Sequence, residues 1–410
     1  MLDDLFKGAE GPVLIRNARP IGFTELPGYA TRLDVLIGPD GKLLAAEPTL
    51  SGVSLPDIRI VEADGAYLSP GWTDLHTHIW HGGTDISIRP EQCGAPRGVT
   101  TLVDAGSAGE ANFHGFREFV IEPAREAIFA FLNIGSIGLV ACNRVSELID
   151  MRSIDIDRTM AVIEANRDLI VGLKCRASAV ITGTWGMEPV RLAKKLARIA
   201  KLPLMVHVGE PPPLYDDVVA VLDPGDIVTH CFNGKVGGSI LEDEALYQLV
   251  DEAARRGVIL DVGHGGASFS FEVAAAAIKR GLMPQTISTD LHGVSLDGAV
   301  WDLATTMSKL LALGMPLEAV VKASTTAPRA AIRQKADGFL SPGAKADFTL
   351  FDLVDATITV KDSKGFPATL SRIFEPRQAI IGAAVIAAHR HQPPDGKTAR
   401  PSCPNCGWLQ

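Results

Sequence analysis

GWTDLHTH (71–78) is the first of eight candidate strands whose spacing indicates the fold. The remaining seven are VTTLVDA (99–105), IFAFLNIG (128–135), LIVGLK (169–174), LPLMVH (202–207), DIVTH (226–230), VILDVG (258–263) and QTISTD (285–290). Each run has the length of a short strand, and they follow one another roughly every 30 residues, as in a (β/α)8 barrel. We therefore predict an α/β chain built around a (β/α)8 barrel.

The segments between these runs have a helical pattern, because their apolar residues recur every three or four positions. Examples are FREFVIEPAREA (116–127), RTMAVIEANRDL (158–169), EPVRLAKKLARIA (188–200), EDEALYQLVDEAARRG (242–257) and FEVAAAAIKRG (271–281). A doubly wound open sheet shows a similar alternation, usually with a GxGxxG turn after an early strand. The sequence contains no such turn, so the barrel is favoured.

Both ends of the chain have a different pattern, in which short β-like runs are separated by turn signals. PVLIRNARP (12–20) and RLDVLIGPDGKLLAA (32–46) precede the barrel, and ADFTLFDLVDATITVKDS (346–363) follows it. The Gly-Pro-Asp-Gly at 38–41 is typical of a hairpin turn. We predict a barrel over 70–344 and a smaller β-rich domain made from 1–69 and 345–410.

Composition excludes several classes of partner. The 39 basic and 48 acidic residues give a net charge of −9, and no Lys/Arg-rich block is present. Binding to a phosphate backbone needs clustered basic side chains, so we expect no nucleic acid partner. The longest apolar stretches, such as AIIGAAVIAA (379–388), are too short to span a bilayer. We expect a homo-oligomer that acts on a small molecule.

The cysteines and the N-terminal sequence predict a cytoplasmic protein. MLDDLFKGAEGP (1–12) has early acidic residues and no apolar core of a signal peptide. Four of the six cysteines are isolated, as free thiols in a reducing compartment are. Cys403 and Cys406 have CxxC spacing, which allows a local metal or redox role or an inert terminal extension.

Metal-binding side chains stand at the ends of five of the eight predicted strands. They are His76 and His78, Lys174, His207, His230 and Asp290. Strand geometry of period two puts His76 and His78 on one face. The carboxyl ends of barrel strands build the active site, so we expect these side chains to converge at one mouth.

Imidazole ligands indicate zinc or a similar ion rather than magnesium or calcium. Two histidines with Asp290 could hold one ion, and the other two histidines could hold a second. Two ions need an anionic bridge, and the fourth strand offers Lys174 in place of a carboxylate. Between two dications the pKa of its ammonium must fall, and the free amine could then form a carbamate with carbon dioxide.

These motifs resemble those of the amidohydrolase superfamily. The resemblance rests on PGWTDLHTH, the Lys174 strand, VHVGE, THCFNG and STDLHG, and it covers the whole barrel. It implies a (β/α)8 barrel flanked by a small β-sandwich built from both chain ends. It also implies that His76, His78 and Asp290 bind a buried metal, that His207 and His230 bind an exposed one, and that carboxylated Lys174 bridges them.

Within this superfamily the chain is most similar to dihydroorotase-like bacterial deacetylases, on VGLKCRAS, NGKVGGSILEDE, DVGHGGASFSF and STDLHG. Some members of that branch hydrolyse acetylated α-hydroxy acids such as acetyl-mandelate. Dihydroorotases carry an arginine two positions after the HxH, where this chain has Trp80. The resemblance therefore implies deacetylation of N- or O-acetylated α-hydroxy or amino acids.

Four further residues are candidates for the pocket. His264 is expected to contact the substrate or polarise its carbonyl. Arg176 is expected to pair with a substrate carboxylate, or else to form a structural ion pair. Asn112 and His292 follow predicted strands in loops that could reach the substrate.

The expected reaction is metal-assisted hydrolysis of an ester or amide by a metal-bridged hydroxide, with Asp290 as general acid and base. No GxSxG motif offers a serine nucleophile instead. Two alternatives stay open, a cyclic-amide hydrolase of the dihydroorotase or hydantoinase type and a non-catalytic barrel used for assembly. Deaminases of this superfamily commonly lack the strand-four lysine, so Lys174 argues against that activity.

Overall fold

The computed structural model describes residues 11–26, 31–148 and 150–394. Its strands, numbered β1 to β15 along the chain, are Val13–Pro20, Leu33–Ile37, Leu43–Glu47, Arg59–Glu62, Tyr67–Pro70, Trp72–Thr77, Val99–Ala105, Ala127–Asn133, Ile170–Ala177, Leu204–Val208, Ile227–Thr229, Ile259–Asp261, Asp347–Lys361, Pro367–Ile381 and Ala384–Ala387. They form two sheets, one from the middle of the chain and one from its two ends.

The helices lie mostly between the strands of the middle sheet. The α-helices, numbered α1 to α11, are Phe113–Phe116, Ile156–Ala165, Ala179–Thr182, Glu188–Ala200, Tyr215–Ala220, Glu244–Arg256, Phe271–Lys279, Gly293–Leu296, Leu303–Ala312, Leu317–Ala323 and Thr326–Ala331. Single 3-10 turns occur at Pro90–Gln92, Ala95–Arg97, Met151–Ser153 and Gly183–Trp185.

Strands β6 to β12 form a curled parallel sheet in which each strand pairs with the next along the chain. The eighth predicted strand, at 285–290, is not a continuous strand. Single bridges join Thr286 to Asp261 and Leu291 to Thr77, so this segment closes the sheet between β12 and β6. Side-chain hydroxyls of the segment bond to buried carboxylates there, as Thr286 does to Asp261. The predicted (β/α)8 architecture is confirmed.

The second sheet joins the two ends of the chain and forms the β-sandwich. Its order is β15-β14-β13-β5-β1-β2-β3, with β4 paired to β1. The long hairpin of β13 and β14 pairs with β5, the last strand before the barrel. Buried apolar side chains from both ends, including Val13, Ile15, Phe348 and Ile380, make its core. The proposed domain boundaries at residues 70 and 344 stay a prediction.

The helix prediction is correct where an apolar stripe continues and proline stands only in the first turn, as Pro189 does in α4. Helix α4, Glu188–Ala200, covers the predicted range and buries Val190, Ala193 and Leu196 against the barrel. The helix predicted at 116–127 is wrong in its second half. After α1 the chain makes a π-helical segment, Arg117–Ile121, and leaves the helix near Pro123, which has no N–H to continue it.

A layer of apolar side chains fills the interior of the barrel. It includes Leu75, Val103, Phe131, Met205 and Ile227, one from each of five strands. Such a layer makes the barrel a packed core with no channel through it, and leaves its carboxyl end for a site. Among the described residues, none of the helices has both the length and the apolar character needed to cross a membrane.

Candidate metal centre

Two histidines at the end of β6 face the aspartate that follows the closing segment. The Nε2 atoms of His76 and His78 lie 3.3 and 3.0 Å from Oδ1 of Asp290. The backbone N–H of Asp290 donates to the carbonyl of His76 over 2.6 Å, which ties the two strand ends together. Asp290 adopts a positive φ of 52°, and such backbone conformations cluster at functional sites.

Two further histidines, His207 and His230, complete the cluster. His207 lies in β10 and His230 directly follows β11, with their ring centroids 4.4 Å apart. The rings of His76 and His230 are 5.2 Å apart. One ligand atom each from His76, His230 and Asp290 can be chosen so that all three lie within 4.8 Å of one another. The described structure thus brings these predicted ligands to one place.

Hydrogen bonds at the far ring nitrogens orient three of these imidazoles. Nδ1 of His230 lies 2.6 Å from the carbonyl oxygen of Gly263, which can only accept, so Nδ1 donates and Nε2 keeps its lone pair. Nδ1 of His76 lies 2.8 Å from Oγ1 of Thr229. That hydroxyl donates its proton to Asp261, so it accepts from His76. Nδ1 of His78 has a similar partner in Ser107 at 3.0 Å. Partners of this kind fix the ring orientation of metal-binding histidines.

The electrostatics of the cluster suit a cation that binds neutral imidazoles. Burial lowers the pKa of His76 and His207 well below the usual value and that of His230 to about 4. Burial alone would raise the pKa of Asp290, but His76 and the hydrogen bond with His78 hold it well below its usual value. Neutral nitrogens around one carboxylate are the donor set that zinc prefers, so the residues fit a metal of that class.

Lys174 lies beside this cluster and is buried, with an exposed fraction of 1%. It does not end its strand as predicted, because β9 continues to Ala177. Its Nζ is 3.2 Å from Nε2 of His76 and 3.3 Å from the sulfur of Met205. Burial lowers the pKa of Lys174 to about 8, although Asp290 and Asp261 oppose the shift. An ammonium against an imidazole and a thioether has few acceptors, whereas a free amine or its carbamate suits this position.

The clustered side chains, with the exception of His230, line a cavity of about 360 Å³. Its lining consists of His76, His78, Ile86, Leu139, Cys142, Asn143, Lys174, Arg176, His207, Lys235, Gly266, Ala267, Ser268, Asp290, His292 and Val294. A larger cavity of about 660 Å³ lies elsewhere, beside Phe119 and Glu126, and contains none of the converging ligands. We therefore assign the candidate site to the smaller cavity, because it contains the candidate metal ligands.

The structure brings two of the four expected pocket residues to the cavity, Arg176 and His292. Nδ1 of His292 lies 2.8 Å from the carbonyl of Asp290 and helps to hold that loop. Arg176 forms a two-point ion pair with Glu147, at 2.7 and 2.5 Å. Since Glu147 is buried, the structural ion pair is the reading of Arg176 that this geometry favours.

Asn112 and His264 are not brought to the cavity. The amide of Asn112 accepts from the backbone of Gly109 and donates to Ile137, so it braces a loop. His264 is fully buried, stacks on Phe269 and bonds through Nε2 to Nζ of Lys309 at 2.9 Å. This placement gives no support to direct substrate contact by either residue, because their polar atoms are already paired.

Sequence reasoning missed Lys235, which lines the cavity from the loop after β11. It also missed Thr229 and Ser107, the hydroxyl partners of the histidines. The proximity of Lys235 to His230 in the sequence was a usable signal, because loops after barrel strands form the site wall. Cys403 and Cys406 lie outside the described residues.

No family model matches the chain, but close relatives exist. It is 59% identical to a deacetylase of Agrobacterium fabrum over 393 residues, 96% of each chain. A deacetylase of Brucella anthropi is 59% identical over 95% of this chain and 96% of its own. A deacetylase of Enterococcus faecalis is 34% identical over 84% of this chain and 92% of its own.

Solved structures are similar over nearly the whole chain. One described as a dihydroorotase superposes with a TM-score of 0.91 at 59% identity, covering 94% of this chain and all of that one. One described as an adenine deaminase gives 0.83 at 32% identity over 92% of this chain and 99% of that one. The L-hydantoinase of Arthrobacter aurescens, at 16% identity over 92% of this chain and 96% of its own, shares the fold with a TM-score of 0.64.

Proposed function

This chain is a hydrolase that belongs to the deacetylases of the amidohydrolase superfamily, and on that premise we propose a binuclear metal-dependent enzyme that deacetylates N- or O-acetylated α-hydroxy or amino acids. The observation that carries this proposal is the convergence of His76, His78, His230 and Asp290 on one buried point beside Lys174. The relatives at 59% identity are named deacetylases, which supports an acetyl group as the group that is removed.

Six side chains would hold the ions. His76, His78 and Asp290 would bind one, His207 and His230 would bind the other, and Lys174 would stand between them. The neutral amine of Lys174 adds to carbon dioxide and releases one proton, which gives an anionic carbamate with two oxygens. When bound, the two ions would polarise the scissile carbonyl and lower the pKa of water from 15.7 to about 7.

Asp290 is the group that we assign to proton transfer. Its carboxylate is ionised at neutral pH, since its pKa is held well below the usual value. It can therefore accept the proton of the attacking water and return it to the leaving group, a role worth about 10²–10⁴ in rate. His292 holds the Asp290 loop through its carbonyl. His264 is assigned a positioning role, because its neighbours Gly263 and Gly265 lie against His230 and Asp290.

A cyclic-amide hydrolase is the second candidate, favoured by the similarity to the structure described as a dihydroorotase. The indole of Trp80 opposes it. Trp80 stands at the position where dihydroorotases carry an arginine. Its ring packs on Phe116 and does not line the cavity. The non-catalytic alternative is not retained, because the relatives at 59% identity are deacetylases.

A substrate panel separates the two candidates. We expect the zinc-loaded enzyme to hydrolyse 2-acetoxy acids and N-acetyl amino acids with kcat/KM at least about tenfold above that for dihydroorotate or hydantoin, a margin of about 1.4 kcal/mol in transition-state binding. A panel in which the cyclic amides react best would overturn deacetylation and establish the second candidate.

A further inference from the structure

Apart from Lys174, two side chains of basic residues line the cavity, Arg176 and Lys235. We propose that Lys235, and not Arg176, binds a carboxylate of the substrate and selects anionic acetylated acids over their neutral esters. This inference rests on the proposed function, since it concerns the substrate of the same cavity. It follows from the difference between the anions that already hold the two cations.

Arg176 is held by a partner that cannot be released cheaply. Glu147 has an exposed side-chain fraction of 0% and accepts hydrogen bonds from Nε and Nη2 of the guanidinium, at 2.7 and 2.5 Å. Burial would raise the pKa of Glu147, but Arg176 brings it below the usual value. Removing one partner of such a buried pair shifts an equilibrium by about 10²–10⁴-fold. A new charge-assisted bond returns only about 10–150-fold, so a substrate would not displace Glu147.

Lys235 is held much more weakly. Its Nζ lies 2.7 Å from Oε1 of Glu210, and the side chains of Lys235 and Glu210 are 19% and 47% exposed. Because Glu210 faces water, the pair resembles a surface ion pair, which contributes about 1.4–5-fold to an equilibrium, more than it resembles the buried pair of Arg176. The Glu210 side chain can therefore rotate into the solvent when a substrate carboxylate takes its place beside Lys235. Most of the gain in affinity from the new bond, about 10–150-fold, is then retained.

The backbone that carries Lys235 is fixed in place. Asn233 is buried, and its amide donates to the carbonyls of His230 and Gly238. Its oxygen accepts from the backbone N–H of Lys235 at 3.1 Å. The loop is thus tied to the strand end that bears His230. Lys235 is also among the charges that lower the pKa of His207 and His230, which places it within electrostatic reach of the cluster.

A pair of substrates that differ in one charge tests the assignment. The probes are 2-acetoxypropanoate and methyl 2-acetoxypropanoate, assayed with the zinc-loaded full chain. Lys235→Met should raise KM for the acid about 10–150-fold and leave the ester within about threefold, with kcat little changed. Lys235→Arg should restore most of the acid's KM. Equal effects on both probes would overturn the proposal.

Glu210→Gln gives a change of opposite sign. It removes the competing anion, so KM for the acid should fall by about 1.4–5-fold while the ester is unaffected. If Lys235 only braced its loop through Glu210, this variant would instead impair both probes, as Lys235→Met would. Lys364→Met is the matched control. Its exposed side chain approaches Gly234 of the same loop but does not line the cavity, so both KM values should stay unchanged.

Calorimetric binding of the same probes separates this inference from the proposed function. If the wild type binds the acid through Lys235 but hydrolyses neither probe, the inference stands and deacetylation falls. If the wild type hydrolyses both probes and Lys235→Met alters neither preference, the inference falls and deacetylation stands. Failure to bind or hydrolyse either probe would overturn both.

Discussion

At the scale of single residues, the surroundings of Lys174 restrict its chemistry most. The amine has a pKa of about 8 because it is buried, and it lies 3.2 Å from an imidazole nitrogen of His76. A lysine that stayed cationic would repel a dication held by that nitrogen. The carbamate proposed here removes the conflict, since it turns the repelled charge into an anionic bridge.

Replacement of Lys174 by alanine tests this role. Removal of a side chain that only hydrogen-bonds to a metal ligand lowers zinc affinity or activity by roughly 10–100-fold. Lys174→Ala should lower both by more than that, because it removes the proposed bridging ligand itself. Added propionate should restore part of both, because it can occupy the space of the missing carbamate. Zinc content and the rate of ester hydrolysis are measured together, with circular dichroism as a check on folding. Undiminished activity in this variant would exclude the bridge.

The sequence points to candidate metal ligands, but it does not reveal the distant side chains with which other candidate residues pair. His76 and His78 were recognisable because period two puts them on one strand face. For Arg176 the sequence leaves a substrate carboxylate and a structural ion pair open, because its partner, Glu147, lies 29 residues earlier in an irregular segment. His264 was read as a catalytic group because nothing local reveals Lys309, 45 residues later. Pairings of this kind depend on tertiary packing.

At the scale of strands, buried carboxylates organise the end of the barrel. Asp261 at the end of β12 accepts hydrogen bonds from Thr229, Thr286 and Ser288. Through Thr229 this carboxylate also sets which nitrogen of His76 is free. The closing of the barrel and the orientation of one proposed metal ligand, His76, therefore depend on the same carboxylate.

Two isosteric changes separate these roles. Thr229→Val and Thr286→Val each remove one hydroxyl from Asp261, so each should reduce the free energy of unfolding by about 1–3 kcal/mol. Only Thr229→Val removes the partner of His76, so only this variant should weaken zinc binding, by roughly 10–100-fold. Competition with a zinc indicator gives the affinities, and urea unfolding gives the stabilities. Equal zinc affinities in the two variants would show that Thr229 does not orient His76.

The strands themselves were largely predictable, because buried parallel strands are continuous apolar runs. β7 has the predicted bounds, Val99–Ala105. The segment 285–290 is an exception, because its backbone pairing is reduced to single bridges while its hydroxyls bond to Asp261 and Asp74. The helix predicted over 116–127 ends early, near Pro123. Proline ends helices, but the prediction followed the apolar spacing instead.

At the scale of the whole molecule, the terminal sheet takes part in the site. Ser363, in the turn between β13 and β14, donates to the carbonyl of Gly265 at 2.8 Å and accepts from the backbone of Phe269. Asp362 accepts from the backbone of Phe271. These bonds hold the loop whose residues 266–268 line the cavity. Contacts across nearly 100 residues of sequence carry no local pattern, so the sequence did not predict them.

The most direct test of the central claim is a zinc titration of chelator-treated protein, with bound metal and hydrolysis of 2-acetoxypropanoate followed in the same samples. We expect no turnover without metal and a rate that rises until about two equivalents are bound per chain, because the two proposed sets of ligands share Lys174. Full activity in metal-free protein, or a rate that saturates at one equivalent, would contradict the binuclear centre.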